Sequence, residues 1–120
     1  MQRILIVEDD ATISGGIRLY LQGKGFAADC AGTIARAETL LARSSYHLIL
    51  LDIRLPDGSG LELCSRLRKI SAAPVIFLTA NDTESQMIAG FQHGCDDYIA
   101  KPFSIELLYQ RILAVLRRSQ

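Results

Sequence analysis

The sequence predicts an α/β fold, a central parallel sheet with helices on both faces. Three observations carry this. Ile4-Leu5-Ile6-Val7, Leu48-Ile49-Leu50-Leu51 and Val75-Ile76-Phe77-Leu78 are continuous apolar runs without alternation, the pattern of strands buried on both faces. Segments with helical spacing separate them. The strand-then-helix order recurs five times, which calls for right-handed crossovers within one sheet.

Each element has its own justification. The first strand, Ile4 to Val7, runs into three acids, Glu8, Asp9 and Asp10. Asp10 suits a helix N-cap, but three adjacent carboxylates exceed what capping needs and repel one another unless a cation sits among them. Ala11 to Lys24 is a helix with Ile13, Ile17, Tyr20 and Leu21 at helical spacing. Gly15-Gly16 inside it costs on the order of 1 kcal/mol per glycine relative to alanine, which predicts close packing or mobility there. Gly23 and Gly25 bracket its end. Phe26 to Ala31 is a less apolar strand, placed nearer the sheet edge. Thr33 caps a helix through Ala42 or Arg43, with Ile34, Ala37, Leu40 and Leu41 on its buried face.

The third strand, Leu48 to Leu51, delivers Asp52 into a turn-rich loop, Pro56-Asp57-Gly58-Ser59-Gly60. Leu61 to Lys69 is a helix with Leu61, Cys64 and Leu67 inward. The fourth strand, Val75 to Leu78, ends in Thr79. Asp82 or Thr83 starts a helix ending at His93-Gly94. Tyr98-Ile99-Ala100 is a short fifth strand ending in Lys101-Pro102. Ser104 caps the last helix, Ile105 to about Arg118, with Leu108, Ile112 and Val115 facing the sheet.

A chain of 120 residues suits one domain, large enough to bury roughly two-thirds of its unfolded surface without staples. Net charge is zero, and no basic stripe marks a nucleic-acid surface. Cys30, Cys64 and Cys95 are far apart, odd in number and without metal-ligand spacing; they read as free thiols in a reducing cytosol. No signal peptide or membrane-length apolar run is seen, so the expected location is cytoplasmic and no membrane partner is expected.

In a parallel sheet the strand C-termini share one edge, the lip where open α/β sheets bind ligands. Glu8 and Asp9, Asp52, Thr79 and Lys101 therefore converge. Clustered carboxylates favour a hard divalent ion such as Mg²⁺. A hydroxyl and an ammonium beside them make a cradle for a phosphoryl group. His47 and His93 lie away from this edge and read as surface or packing residues.

With these residues assembled, the chain resembles the receiver domain of bacterial two-component response regulators. The motifs are Ile-Leu-Ile-Val-Glu-Asp-Asp at 4–10, Leu-Ile-Leu-Leu-Asp-Ile-Arg-Leu-Pro-Asp-Gly-Ser-Gly at 48–60, Pro-Val-Ile-Phe-Leu-Thr-Ala at 74–80 and Gly-Cys-Asp-Asp-Tyr-Ile-Ala-Lys-Pro-Phe at 94–103. They span essentially the whole chain, so residues 1–120 read as one receiver domain. The resemblance implies a flavodoxin-like (βα)5 fold with strand order 2-1-3-4-5. It implies that Asp52 accepts a phosphoryl group from a sensor histidine kinase. Glu8, Asp9, Asp52 and the Arg54 backbone carbonyl would hold Mg²⁺. Thr79 and Lys101 would contact the phosphoryl group, and Tyr98 would swing inward when Thr79 moves. The Lys101-Pro102 bond is expected to be cis. Arg54 and Asn81, two residues beyond the acceptor and the threonine, are expected to tune dephosphorylation.

The last segment resembles the OmpR/PhoB subfamily, whose receivers precede a winged-helix DNA-binding domain. There the face built from the fourth helix, fifth strand and fifth helix pairs two receivers after phosphorylation. Asp96 or Asp97 with Arg111 fits that role, with Arg118 a further candidate. The subfamily's basic residue on the fourth helix and glutamate on the fifth align with Met87 and Leu107, an apolar pair in place of a salt bridge. DNA would be contacted only through a C-terminal domain that is not among these 120 residues. Two other classes are compatible with parts of this pattern: a stand-alone phosphorelay carrier, and a phosphatase with an aspartate nucleophile. The phosphatase places its nucleophile after the first strand, whereas Asp52 follows the third.

Overall fold

The computed structural model describes residues 1–80 and 84–119. Five parallel strands form the sheet: β1 (Arg3–Val7), β2 (Ala27–Ala31), β3 (Leu48–Leu51), β6 (Val75–Thr79) and β7 (Asp97–Ala100). Between β3 and β6, Arg54–Leu55 (β4) and Gly58–Ser59 (β5) form a two-residue antiparallel hairpin. The sheet order is β2-β1-β3-β6-β7. With the hairpin set aside, this is the expected 2-1-3-4-5 order of the flavodoxin-like receiver fold. The Ala-Ala-Asp-Cys-Ala strand β2 occupies an edge, as its weaker apolar character predicts.

The helices are α1 (Ala11–Gly23), α2 (Ile34–Arg43), α3 (Gly60–Ile70), α4 (Glu84–Gln92) and α5 (Ile105–Arg118). Side chains of a strand alternate between faces, and this alternation divides the core in two. Leu5, Val7, Ile49, Leu51, Val75 and Phe77 face α2 and α3. Ile4, Ile6, Leu48, Leu50, Ile76 and Leu78 face α1 and α5. Helix α5 contributes Leu108, Ile112, Val115 and Leu116 to that second layer. Burying each such side chain stabilises the fold by roughly 1.5–3 kcal/mol. Helix α4 lies on the first face, where Gly90 comes so close to Phe77 that an added Cβ would stand 3.2 Å from the ring.

Caps set the helix starts. Asp10 accepts from the N–H groups of Thr12 and Ile13 at 2.9 and 3.2 Å. Thr33, Ser59 and Ser104 cap α2, α3 and α5.

Several expectations need correction. Gly15 and Gly16 are not closely packed, since a Cβ on either would meet no heavy atom within 4 Å. Leu63, not among the residues expected there, joins Cys64 and Leu67 on the buried face of α3, and Leu61 packs half-buried against the same core. The helix begins at Gly60 because Ser59, not a later residue, is its cap. Leu40 and Leu41 pack against the core from the expected face of α2 and are partly covered. The expected start of the fourth helix, at Asp82 or Thr83, lies outside the described residues, as does Asn81.

Candidate functional site

The ladder of the sheet extends one residue past the strands and so aims the polar side chains. The Asp52 N–H donates to the Val7 carbonyl at 2.9 Å, setting Asp52 beside Glu8. The Lys101 N–H donates to the Thr79 carbonyl at 2.9 Å. Glu8 (2% exposed), Asp52 (5%) and Thr79 (2%) are the buried polar groups of this edge. These groups end strands whose apolar runs are fully buried, so they stand at the point where the core meets solvent.

One carboxylate oxygen from each of Glu8, Asp9 and Asp52 lies within 4.8 Å of the others. The Lys101 ammonium pairs with Glu8 Oε1 and, at 3.0 Å, with Asp52 Oδ2. The other Glu8 oxygen accepts the Asp10 N–H at 3.1 Å, and Asp52 Oδ1 accepts the Arg54 N–H at 3.3 Å. Burial pushes the Glu8 carboxyl up; the Lys101 and Asp10 hydrogen bonds oppose this, and the Asp52 charge adds to it. Burial alone would lower the Lys101 ammonium. Its hydrogen bonds to Glu8 and Asp52 outweigh that and hold it above its ordinary value.

Three carboxylates and one ammonium leave two negative charges uncompensated. An all-oxygen donor set with that deficit suits a hard divalent cation, and Mg²⁺ takes only one or two carboxylates while keeping waters. Beside these groups Asp52, Arg54, Thr79, Ala80 and Lys101 line an open pocket of about 180 Å³. The arrangement can hold an anionic group against Asp52, with Lys101 and Thr79 facing it.

The other expected residues divide. Tyr98 is buried, and its backbone lies opposite Phe77 in the sheet register. The Lys101-Pro102 bond is cis. Met87 and Leu107 are exposed, at 37% and 47%. Of the two acids at β7, Asp97 is the one that pairs with Arg111, which donates to its two oxygens at 3.1 and 3.2 Å within the same chain. Asp96 turns elsewhere: it accepts the Val75 N–H at 2.8 Å and lies 3.8 Å from Arg68. Arg118, at the end of α5, lines a shallow hollow with Asp97, Leu107 and Arg111. The histidines stay clear of the acidic edge. His47 Nδ1 accepts the Arg3 N–H at 3.0 Å, and His93 hydrogen-bonds Ser65.

Two residues that the sequence marks as turn formers have further contacts. Gly60 approaches the Asp52 carbonyl so closely that a Cβ would lie 2.0 Å from its oxygen. Asp57 accepts the Ile34 and Ala35 N–H groups of α2 at 2.8 and 3.0 Å. The only sequence signal for either was membership of a Pro/Gly/Asp-rich loop, which announces a turn and not its contacts.

Comparison with known proteins gives the family. The Response regulator receiver domain family matches residues 4–113. The transcriptional regulatory protein PmrA of Pectobacterium parmentieri is 44% identical over 119 residues, covering 98% of this chain and 54% of that protein. The transcriptional regulatory protein BasR of Escherichia coli K12 is 46% identical over 117 residues, covering 97% of this chain and 53% of its own length. A two-component response regulator from Clostridium difficile superposes with a TM-score of 0.95 at 31% identity, covering 98% of each chain. The chain thus spans about half the length of the curated relatives it matches. With its sheet order, its acidic edge and these likenesses in agreement, the chain belongs to the response regulator receiver domains of two-component systems.

Proposed function

We propose that this receiver domain is a phosphoryl-operated switch with Asp52 as acceptor. A carboxylate oxygen of Asp52 attacks phosphorus on the phosphohistidine of a sensor histidine kinase. The P–N bond breaks, its electron pair stays on the imidazole, and an aspartyl phosphate remains. Water later hydrolyses it to inorganic phosphate and restores the carboxylate. Glu8, Asp9, Asp52 and the Arg54 backbone carbonyl would hold Mg²⁺, which when bound neutralises charge on the phosphoryl oxygens. Lys101 exchanges its pairing with Glu8 and Asp52 for the phosphoryl group. Thr79 donates its hydroxyl to a phosphoryl oxygen, and Tyr98 follows the displacement of Thr79. The chain is thus a stoichiometric acceptor and not a conventional enzyme.

Phosphorylation adds about −1.5 to −2 charge. Its differential affinity for two loop arrangements shifts their populations. The output we assign is symmetric pairing of two receivers through α4, β7 and α5, with Met87 against Leu107. Asp97 exchanges Arg111 of its own chain for that of the partner. Relatives named as transcriptional regulatory proteins, about twice as long, support control of transcription through a DNA-binding segment outside these residues, in the cytoplasm.

The observation that carries the reading is the placement of Asp52 between the acids of β1 and Lys101, beside a pocket that Thr79 lines. The test is intact mass after incubation with Mg²⁺ and acetyl phosphate, with size exclusion, for the native chain and Asp52→Ala. One phosphoryl adduct on the native chain alone, with a dimer, is expected. An adduct without a dimer would remove the assigned output face. No adduct, even from a phosphohistidine donor, would overturn the acceptor role.

A further inference from the structure

The loop that follows Asp52 is tied down at three places. At its ends, the Gly60 N–H donates to the Ile53 carbonyl at 2.7 Å. Along its length, the β4–β5 hairpin pairs Arg54 with Ser59 and Leu55 with Gly58. At its tip, Asp57 reaches across to α2, 22 to 23 residues away in sequence, and accepts the first two N–H groups of that helix.

Helix α2 has its own cap for a different donor, since Thr33 Oγ1 accepts the Arg36 N–H at 3.1 Å. Gly58 seats the tip on the same helix: its φ is +150°, and a Cβ there would stand 3.0 Å from Ile34 Cδ1. The two N–H donors hold the exposed Asp57 carboxyl below its ordinary range, so it is a committed acceptor and not a free surface acid. The hairpin carries Arg54, whose N–H already engages Asp52. Its carbonyl belongs to the same short segment.

We propose that Asp57 is a positioning residue for the metal site: by latching the hairpin tip to the start of α2, it holds the Arg54 carbonyl where a divalent cation needs it. This rests on the assignment of that carbonyl as a ligand in the proposed function. Without the Asp57 bonds the hairpin keeps its two pairs, the Gly60 bond, the Arg54 N–H bond to Asp52 and the apolar seat of Gly58 on Ile34, but its tip loses both polar ties to α2. An oxygen ligand carried on it then samples positions outside the narrow octahedral geometry that Mg²⁺ demands. Partners that orient metal ligands typically contribute about 10- to 100-fold in affinity.

The experiment is calorimetric titration of Mg²⁺ into the unphosphorylated 120-residue chain and three variants. Asp57→Ala removes both acceptors and is expected to weaken Mg²⁺ binding about tenfold. Asp57→Asn keeps one acceptor oxygen and is expected to recover most of that loss. Thr33→Ala removes the helix's other cap, lowers thermal stability and is expected to leave Mg²⁺ affinity unchanged. With acetyl phosphate, Asp57→Ala should raise the half-saturating Mg²⁺ concentration without lowering the rate at saturating Mg²⁺. Affinity in Asp57→Ala within about twofold of the native chain overturns the inference, as does an equal loss in Thr33→Ala, and either leaves the acceptor reading intact. Failure of the native chain itself to bind Mg²⁺ overturns both.

Discussion

Among the glycines of the helices, Gly15 and Gly16 of α1 and Gly60 at the start of α3 should move stability in opposite directions when replaced by alanine. In α1, a Cβ on Gly15 or Gly16 meets nothing within 4 Å. Alanine there stiffens the unfolded chain and adds helix propensity, worth about 0.5–1 kcal/mol each. The double variant should gain about 1–2 kcal/mol, or roughly 4–8 °C in Tm for a chain of this length. Gly60 opens α3 and would gain no more than the same about 1 kcal/mol in propensity. Against that, its Cβ would stand 2.0 Å from the Asp52 carbonyl oxygen, 3.0 Å from the carbonyl carbon and 3.1 Å from Ile53 Cα. All three are backbone atoms and have no rotamer to give. Ordinary C···O approach is about 3.3 Å, so the loop must retreat by more than about 1 Å. The retreat strains the 2.7 Å Gly60–Ile53 hydrogen bond, worth about 1 kcal/mol. It adds an overpacking cost of about 1–3 kcal/mol. The net expectation is a loss of about 1–3 kcal/mol, with reduced phosphorylation because the displaced carbonyl belongs to the acceptor. Urea unfolding followed by far-UV circular dichroism measures both variants against the native chain. Gly60→Ala within about 0.5 kcal/mol of the native chain, the range of an ordinary surface substitution, or a destabilised Gly15→Ala/Gly16→Ala double variant, would refute the reasoning.

Two further expectations follow. The Tyr46 hydroxyl donates to Asp29 at 2.7 Å, and burial followed by this bond and the Asp29 charge pushes its pKa from 10.0 up to about 12. The folded chain therefore holds that proton more tightly than the unfolded chain. The contribution to stability is complete below pH 10 and lost as pH rises towards 12. Tyr46→Phe should flatten this part of the alkaline unfolding profile, and an unchanged profile would remove Tyr46 as its source. On the proposed output face, Leu107→Glu should weaken phosphorylation-driven dimerisation, and the salt dependence of the native dimer should come from its Asp97–Arg111 pairs and fall away in Arg111→Ala, because the apolar Met87–Leu107 contact is screened less than an exposed ion pair. Light scattering after acetyl phosphate treatment reads both, and an undiminished Leu107→Glu dimer would exclude the contact.

The architecture was legible in the residues for a simple reason. Unalternating runs such as Leu48–Leu51 can be accommodated only with both faces covered, and alternation with helices leaves a parallel sheet. A parallel sheet places every strand C-terminus on one edge, so the meeting of Glu8, Asp9, Asp52, Thr79 and Lys101 follows from topology before any coordinate is known. Caps such as Asp10, Thr33 and Ser104 are short-range devices, and they were legible too.

What only the tertiary structure decided lies in contacts between segments distant in sequence. In the sequence Gly15-Gly16 reads as a closely packed or mobile pair inside a helix, and Gly60 reads as a turn residue. The first pair faces open space, while Gly60 rests on the Asp52 backbone. Asp96 and Asp97 are adjacent acids. The twist and register of β7 turn one to Val75 and Arg68 and the other to Arg111. Asp57 reads as a turn residue, yet its carboxylate serves a helix 22 residues upstream. A local pattern carries the period of an element and the chemistry of its ends. Which neighbour a side chain meets is set by how the packed elements cross, and that distance information is not written in any short stretch of the chain.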